Sequence, residues 1–224
     1  MAKHDENRTP HLVWDWNGTL LDDIDAVVGA TNAAFAEVGL APITVDQYRA
    51  TYCVPIPLFY ERLLGRMPSD AEWQRMDVVF HDAYAELRVE CLLTDGASEL
   101  LAGWRRDGRS QSLLSMHGHE QLLPTVRGYG IEPHFVRVDG RTGPSGGSKA
   151  LHMERHFAAL GTVAPEHAVI IGDAVDDAVA AAHVGARAVL FTGGSHDRAG
   201  LEAAGVPVVD TLVEAVALAE SMTV

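Results

Sequence analysis

Apolar positions along this chain follow two rhythms. In the first third they recur every three or four residues. Ile24, Val27, Val28, Phe35 and Val38, with Thr31 among them, make one stripe that Gly39 is placed to end, and Trp73, Met76, Phe80, Tyr84 and Leu87 make another. That spacing is one face of a helix. Thr44-Val45-Asp46-Gln47 and Ser69-Asp70-Ala71-Glu72 have the form of capping boxes, which satisfy the free N–H groups at a helix start. Between them Pro55 and Pro57 break the chain ahead of a short segment carrying Leu58, Phe59, Leu63 and Leu64. From Asp22 to about Thr94 the pattern holds no strand, so this stretch reads as an all-helical unit.

The rest of the chain alternates short apolar runs with helical stripes. Leu12-Val13-Trp14, Ser112 to Ser115, Phe135 to Val138, Ala168 to Ile171, Ala188 to Phe191 and Val206 to Val209 read as strands. Between them, Leu100, Leu101 and Trp104 mark a helix ending at Gly108, and Leu122, Leu123, Val126 and Tyr129 mark a second. A third runs from about Ser148 to Leu160, and a short one ends at Val184-Gly185. Such alternation predicts an α/β fold, a Rossmann-like doubly wound parallel sheet with helices on both faces. Residues 1–21 and 95–224 would form this core domain. Residues 22–94, inserted straight after the first strand, would form a helical cap domain over the strand ends, placed to act as a lid.

Composition narrows the function. A net charge of -14 repels polyanions, which argues against nucleic-acid and anionic-membrane partners and means that any bound phosphate must be attracted locally. No apolar run is long enough to span a bilayer, and the polar opening from Met1 to Pro10 lacks the order of a secretion signal, so a cytoplasmic location is expected. Cys53 and Cys91 stand apart and outside any CxxC pair, which predicts neither a disulfide nor a zinc site. Of 17 basic residues only Lys3 and Lys149 are lysine, so Lys149, near a glycine-rich loop, stands out from a chain that otherwise uses arginine.

Polar groups gather where the strands end: Asp15 with Thr19, then Ser115, Lys149, and the run from Gly172-Asp173 to Asp176-Asp177. In a parallel sheet these fall on one edge, where ligands bind. A carboxylate there can be a nucleophile or a metal ligand. Asp15 and Asp173 can share a magnesium ion, with Thr19, Ser115 and Lys149 holding phosphoryl oxygens.

With these motifs in order, the chain resembles the haloacid dehalogenase superfamily hydrolases, of the phosphoglycolate-phosphatase-like kind with a helical cap after the first motif. Asp15-Trp16-Asn17-Gly18-Thr19 is similar to the family's Asp-x-Asp-Gly-Thr; Ser115 and Lys149 match its second and third motifs, and Gly172-Asp173 with Asp177 its fourth. The resemblance implies a magnesium-dependent phosphatase of a small phosphomonoester. Asp15 would form an aspartyl-phosphate, Thr19, Ser115 and Lys149 would bind the substrate phosphate, and Asp15, the Asn17 carbonyl, Asp173 and Asp177 would hold Mg2+. Asp176 is an alternative to Asp177.

One position departs. Where the family has an acid/base Asp, this chain has Asn17, and an amide neither protonates a leaving alcohol nor activates water. The resemblance therefore also admits a catalytically impaired protein that binds a phosphorylated metabolite. His117, close behind Ser115, is a candidate substitute acid or base. His152 and His156 read as surface histidines, Gly140 to Gly147 as a mobile loop, and Asp22-Asp23 as a solvated hinge into the cap. Tyr52, Phe59, Tyr60 and Arg62 are candidates for substrate choice.

Overall fold

The computed structural model describes residues 9–143 and 147–222. The chain enters through β1 (His11–Trp14), crosses the short β2 (Leu21–Asp22), and then builds four helices: α1 (Ile24–Ala36), α2 (Val45–Thr51), α3 (Ile56–Leu64) and α4 (Asp70–Leu87). It returns through β3 (Leu92–Leu93) and α5 (Ala97–Arg106) to β4 (Gln111–Gly118), α6 (His119–Gly128), β5 (Val138–Arg141) and α7 (Ala150–Leu160). The closing elements are β6 (Ala168–Gly172), α8 (Val175–Val184), β7 (Arg187–Phe191), α9 (Arg198–Glu202), β8 (Val208–Val209) and α10 (Leu212–Ser221).

Six strands form one sheet in the order β5-β4-β1-β6-β7-β8, every neighbouring pair parallel. The order reverses at β1, which lies between β4 and β6, so the strand carrying Asp15 opens onto the crevice of a doubly wound sheet. Alternation along each strand feeds two cores. Leu12, Trp14, Val169, Ile171 and Val189 pack with α5, α6 and α10, whereas Val13, Ile170 and Leu190 pack with α7, α8 and α9. Being buried on both faces is why β1 and β6 read as unbroken apolar runs.

The inserted helices have their own core of Val28, Phe35, Tyr48, Phe59, Tyr60 and Met76. Both expected capping boxes form, Thr44 with Gln47 and Ser69 with Glu72. The segment is not wholly helical, however. β2 and β3 pair antiparallel at its base, Leu21 opposite Leu93 and Asp22 opposite Leu92, a ribbon of two residues per strand that is too short to show a period.

Two further boundaries differ from expectation. The strand expected over 135–138 is β5, which starts at Val138. Glu132–His134 makes a tight turn first, and Phe135 is spent as a buried anchor, although Val136 N–H already bonds Gln111 O at 2.9 Å. β4 continues past Ser115 to Gly118 across a register shift, so Ser115 sits within the strand rather than at its end. Gly140 is in β5; of the loop expected to follow, Pro144 to Gly146 lie outside the described residues. No helix among the described residues is long and apolar enough to cross a membrane.

Candidate active site

β1 delivers Asp15 to the sheet edge, its N–H held by Ile171 O at 2.9 Å. β6 delivers Asp173 beside it, and Asp177 returns on the first turn of α8. Oxygens of Asp15, Asp173 and Asp177 lie within 4.8 Å of one another. Lys149, just ahead of α7, is buried between two of them, its Nζ 2.7 Å from Asp15 Oδ1 and 2.6 Å from Asp177 Oδ1.

Each carboxylate is fixed by donors. Asp173 accepts from Thr19 Oγ1 at 3.2 Å and from Ser195 N–H at 2.7 Å, and Asp177 accepts from Ala174 N–H at 3.0 Å. The backbone closes tightly around Asp173. A Cβ on Gly18 would stand 2.6 Å from its Oδ2 and one on Gly194 2.1 Å, and Gly18 is held at φ +67° by the turn after β1.

Three carboxylates against one ammonium leave an excess of negative charge. Burial is the largest influence on Asp15 and pushes its carboxyl well above the usual range, Lys149 opposes this, and Asp177 and Asp173 add to it. Burial and then Asp177 raise Asp173 in the same direction. Burial alone would lower Lys149, but Asp15 and Asp177 outweigh it and keep the ammonium charged. Hard oxygen donors, surplus negative charge and a glycine-lined cradle are the setting a small divalent cation such as magnesium fits.

The structure sorts the expected residues. Asp15, Asn17, Ser115, Lys149, Asp173 and Asp177 line one cavity, with His117 beside them. Thr19 is fully buried and gives its hydroxyl to Asp173, so it acts from behind that carboxylate. Asp176 lines the cavity but is bonded to Lys149 N–H at 2.8 Å and Ser148 Oγ at 3.2 Å, which leaves Asp177 as the member of the carboxylate cluster.

Two sequence readings are corrected. Asp23 is no solvated hinge: it is 1% exposed, whereas Asp22 is exposed. Its carboxylate accepts from Gly18 N–H at 2.7 Å, Asn17 Nδ2 at 2.7 Å and the Tyr84 hydroxyl at 2.6 Å. Burial raises Asp23 and these three bonds partly offset the rise. A carboxylate only accepts, so the nitrogen of Asn17 must face Asp23, which settles the amide's orientation. His156 is not a surface residue either; it is 1% exposed and joins Asp139 Oδ2 at 2.7 Å to Ser112 Oγ at 2.8 Å, because that face of α7 turns onto β4.

Other participants carried no signal of their own in the sequence. Ser195 supplies its N–H to Asp173, and Tyr84, from the middle of a helical stripe, reaches across to Asp23 and Asn17. Arg49 of α2 donates to the carbonyls of Gly193 at 2.8 Å and Gly194 at 2.9 Å, tying the inserted helices to the loop that cradles Asp173. His117 has an Nε2 that is buried with no partner among the described residues. Burial, then Arg88 and His81, hold its pKa down to about 4, so the ring is neutral at neutral pH.

This geometry places the chain among known proteins. It belongs to the haloacid dehalogenase-like hydrolase family, whose model matches residues 9–185. It is similar to a phosphoglycolate phosphatase of Rhodobacter capsulatus, 26% identical over 83% of this chain and 85% of that one. A haloacid dehalogenase-like family hydrolase from Streptococcus pneumoniae shares the fold at a TM-score of 0.80 and 18% identity, covering 94% of this chain and 98% of that one. So does such a hydrolase from Deinococcus radiodurans, solved with bound phosphate and sodium, at a TM-score of 0.69 and 19% identity over 97% and 99% of the two chains.

Proposed function

We propose that this chain is a magnesium-dependent phosphatase of a small phosphomonoester, working through an aspartyl-phosphate on Asp15, with residues 1–21 and 95–224 as catalytic core and 22–94 as cap. The observation that carries the reading is the convergence of Asp15, Asp173, Asp177 and Lys149 on the cavity beneath the inserted helices. The names of its relatives as phosphoglycolate phosphatases support the reaction class. A cytoplasmic place fits its two free cysteines.

Asp15, Asp173, Asp177 and the main-chain carbonyl of Asn17 would hold the metal, which supplies positive charge against the phosphoryl oxygens. Ser115 and Lys149 bind those oxygens directly, and Thr19 serves by fixing Asp173. Asp15 attacks phosphorus, the bond from phosphorus to the ester oxygen breaks, and the departing oxygen takes a proton from water. Water then attacks the aspartyl-phosphate, releasing phosphate and Asp15. Asn17 has no proton to give or take in either step. His117 lines the same cavity, and with no acid or base at position 17 the second step is slow.

Because Asn17 is an amide, a second reading is a phosphometabolite-binding protein that does not turn over. Phosphate release from phosphomonoesters with and without magnesium, run beside intact-mass measurement after acetyl phosphate, separates the two. Magnesium-dependent release and an 80-Da-class adduct, about one phosphoryl group, both lost in Asp15→Asn, are expected. Neither appearing in the wild type would leave only the binding reading.

A further inference from the structure

Building on the phosphatase reading, we propose that the ester cleaved carries an uncharged apolar or aromatic alcohol, which the roof of the cavity favours over an anionic one. The cavity of about 280 Å³ runs without interruption from the carboxylates into the inserted helices. Tyr48, Tyr52, Phe59, Tyr60, Trp73 and Phe80 line its upper part. Five of these rings brace one another, Tyr48 edge to face against Phe59 at 4.9 Å, Tyr60 edge to face against Trp73 at 5.7 Å and Tyr48 stacked on Tyr52 at 5.3 Å between centroids, so the wall is preformed.

A carboxylate on the substrate would need a cation in this wall, since burying it unpaired is costly. Among the described residues, no arginine or lysine of the inserted helices lines the cavity. The cations of the lining both belong to the core: Lys149 sits at the carboxylates, where it meets the phosphoryl group, and Arg141, at the end of β5, donates its Nε and Nη1 to the main-chain carbonyls of Met116 and Gly143. α4 contributes a pair, Asp77 with the His81 imidazole 3.5 Å from its carboxylate, so the basic ring there already faces an acid. Burial, then the carboxylates of the site, keep the phenol of Tyr52 protonated, so it adds no charge. An apolar substituent gains by leaving water here; an anionic one meets aromatic carbon and a carboxylate.

The test uses phosphonates, which bind without being cleaved. Binding of benzylphosphonate and phosphonoacetate to the wild-type protein with magnesium is measured by calorimetry. Benzylphosphonate is expected to bind about tenfold or more tighter. In Asp77→Arg, which gives the roof a cation at a part-exposed position, the ratio is expected to fall by about tenfold. Equal or reversed affinities in the wild type, no binding of either compound, or an unchanged ratio in Asp77→Arg would overturn the inference. Phosphate release from phenyl phosphate is followed separately: tighter benzylphosphonate binding with no release anywhere upholds the ligand class and refutes the phosphatase reading.

Discussion

The floor and the roof of the cavity are built by opposite means. The floor draws Asp15, Asp173, Asp177 and Lys149 from three separate parts of the chain, and each charged group is held by named donors or ion pairs. The roof comes from one contiguous insertion, and rings against rings hold it. The floor is thus a balance of buried charges, in which removing one member strands the others. The roof is a packing problem, in which a change of size is absorbed locally.

The sharpest way to break this contrast is Lys149→Met. Deleting the ammonium leaves Asp15 and Asp177 facing each other unpaired, and we expect a loss of about 3–5 kcal/mol in urea unfolding. A roof change of similar volume, Phe59→Leu, should cost about 1 kcal/mol. If the two variants lose the same amount, the contrast between floor and roof has no energetic content.

A smaller effect concerns Asn17 and Asp23. The amide donates to the carboxylate at 2.7 Å, so Asn17→Asp would set two carboxylates against each other and cost about 2 kcal/mol. Adding Asp23→Asn exchanges the two groups and should restore stability while placing a carboxyl on the cavity side, with faster phosphate release. Denaturation midpoints and steady-state rates of the single and double variants decide it; a single variant as stable as wild type would refute the pairing.

The smallest effect is one of pH, and it belongs to the core alone. His11 bonds Ser110 Oγ and Ser112 Oγ, both at 2.8 Å. Burial, then His156, lower its pKa from 6.5 to about 4. The folded value lies below the unfolded one, so the unfolded chain binds the proton first. The contribution is therefore complete above pH 6.5 and drains away as pH falls toward 4. Between pH 7.5 and 5.5 this amounts to about 1 kcal/mol. Urea midpoints that fall with acid in the wild type and fall less steeply in His11→Gln, which leaves His117 in place, would bear this out; parallel curves would not.

Much of this was legible in the sequence, for identifiable reasons. Strands buried on both faces write themselves as apolar runs, and capping boxes are local, so β1, β6, α2 and α4 could be read directly. The strand-end carboxylates were legible because a parallel sheet brings all its carboxyl ends to one edge. What stayed hidden depends on partners far along the chain. Asp23 reads as a hinge until Tyr84, 61 residues on, is laid over it, and His156 reads as exposed until Ser112 and Asp139 meet it. Tyr84 itself fits a helical stripe so well that its hydroxyl gave no sign of a second role.

The clasp of Arg49 on Gly193 and Gly194 bears on how such a molecule can be re-engineered. Gly194 abuts Asp173, and the next N–H, that of Ser195, bonds it. The inserted helices are therefore not an interchangeable module. A cap grafted from a relative to change substrate would also have to bring a side chain that grips those two carbonyls, or the graft would reset the position of Asp173 along with the specificity.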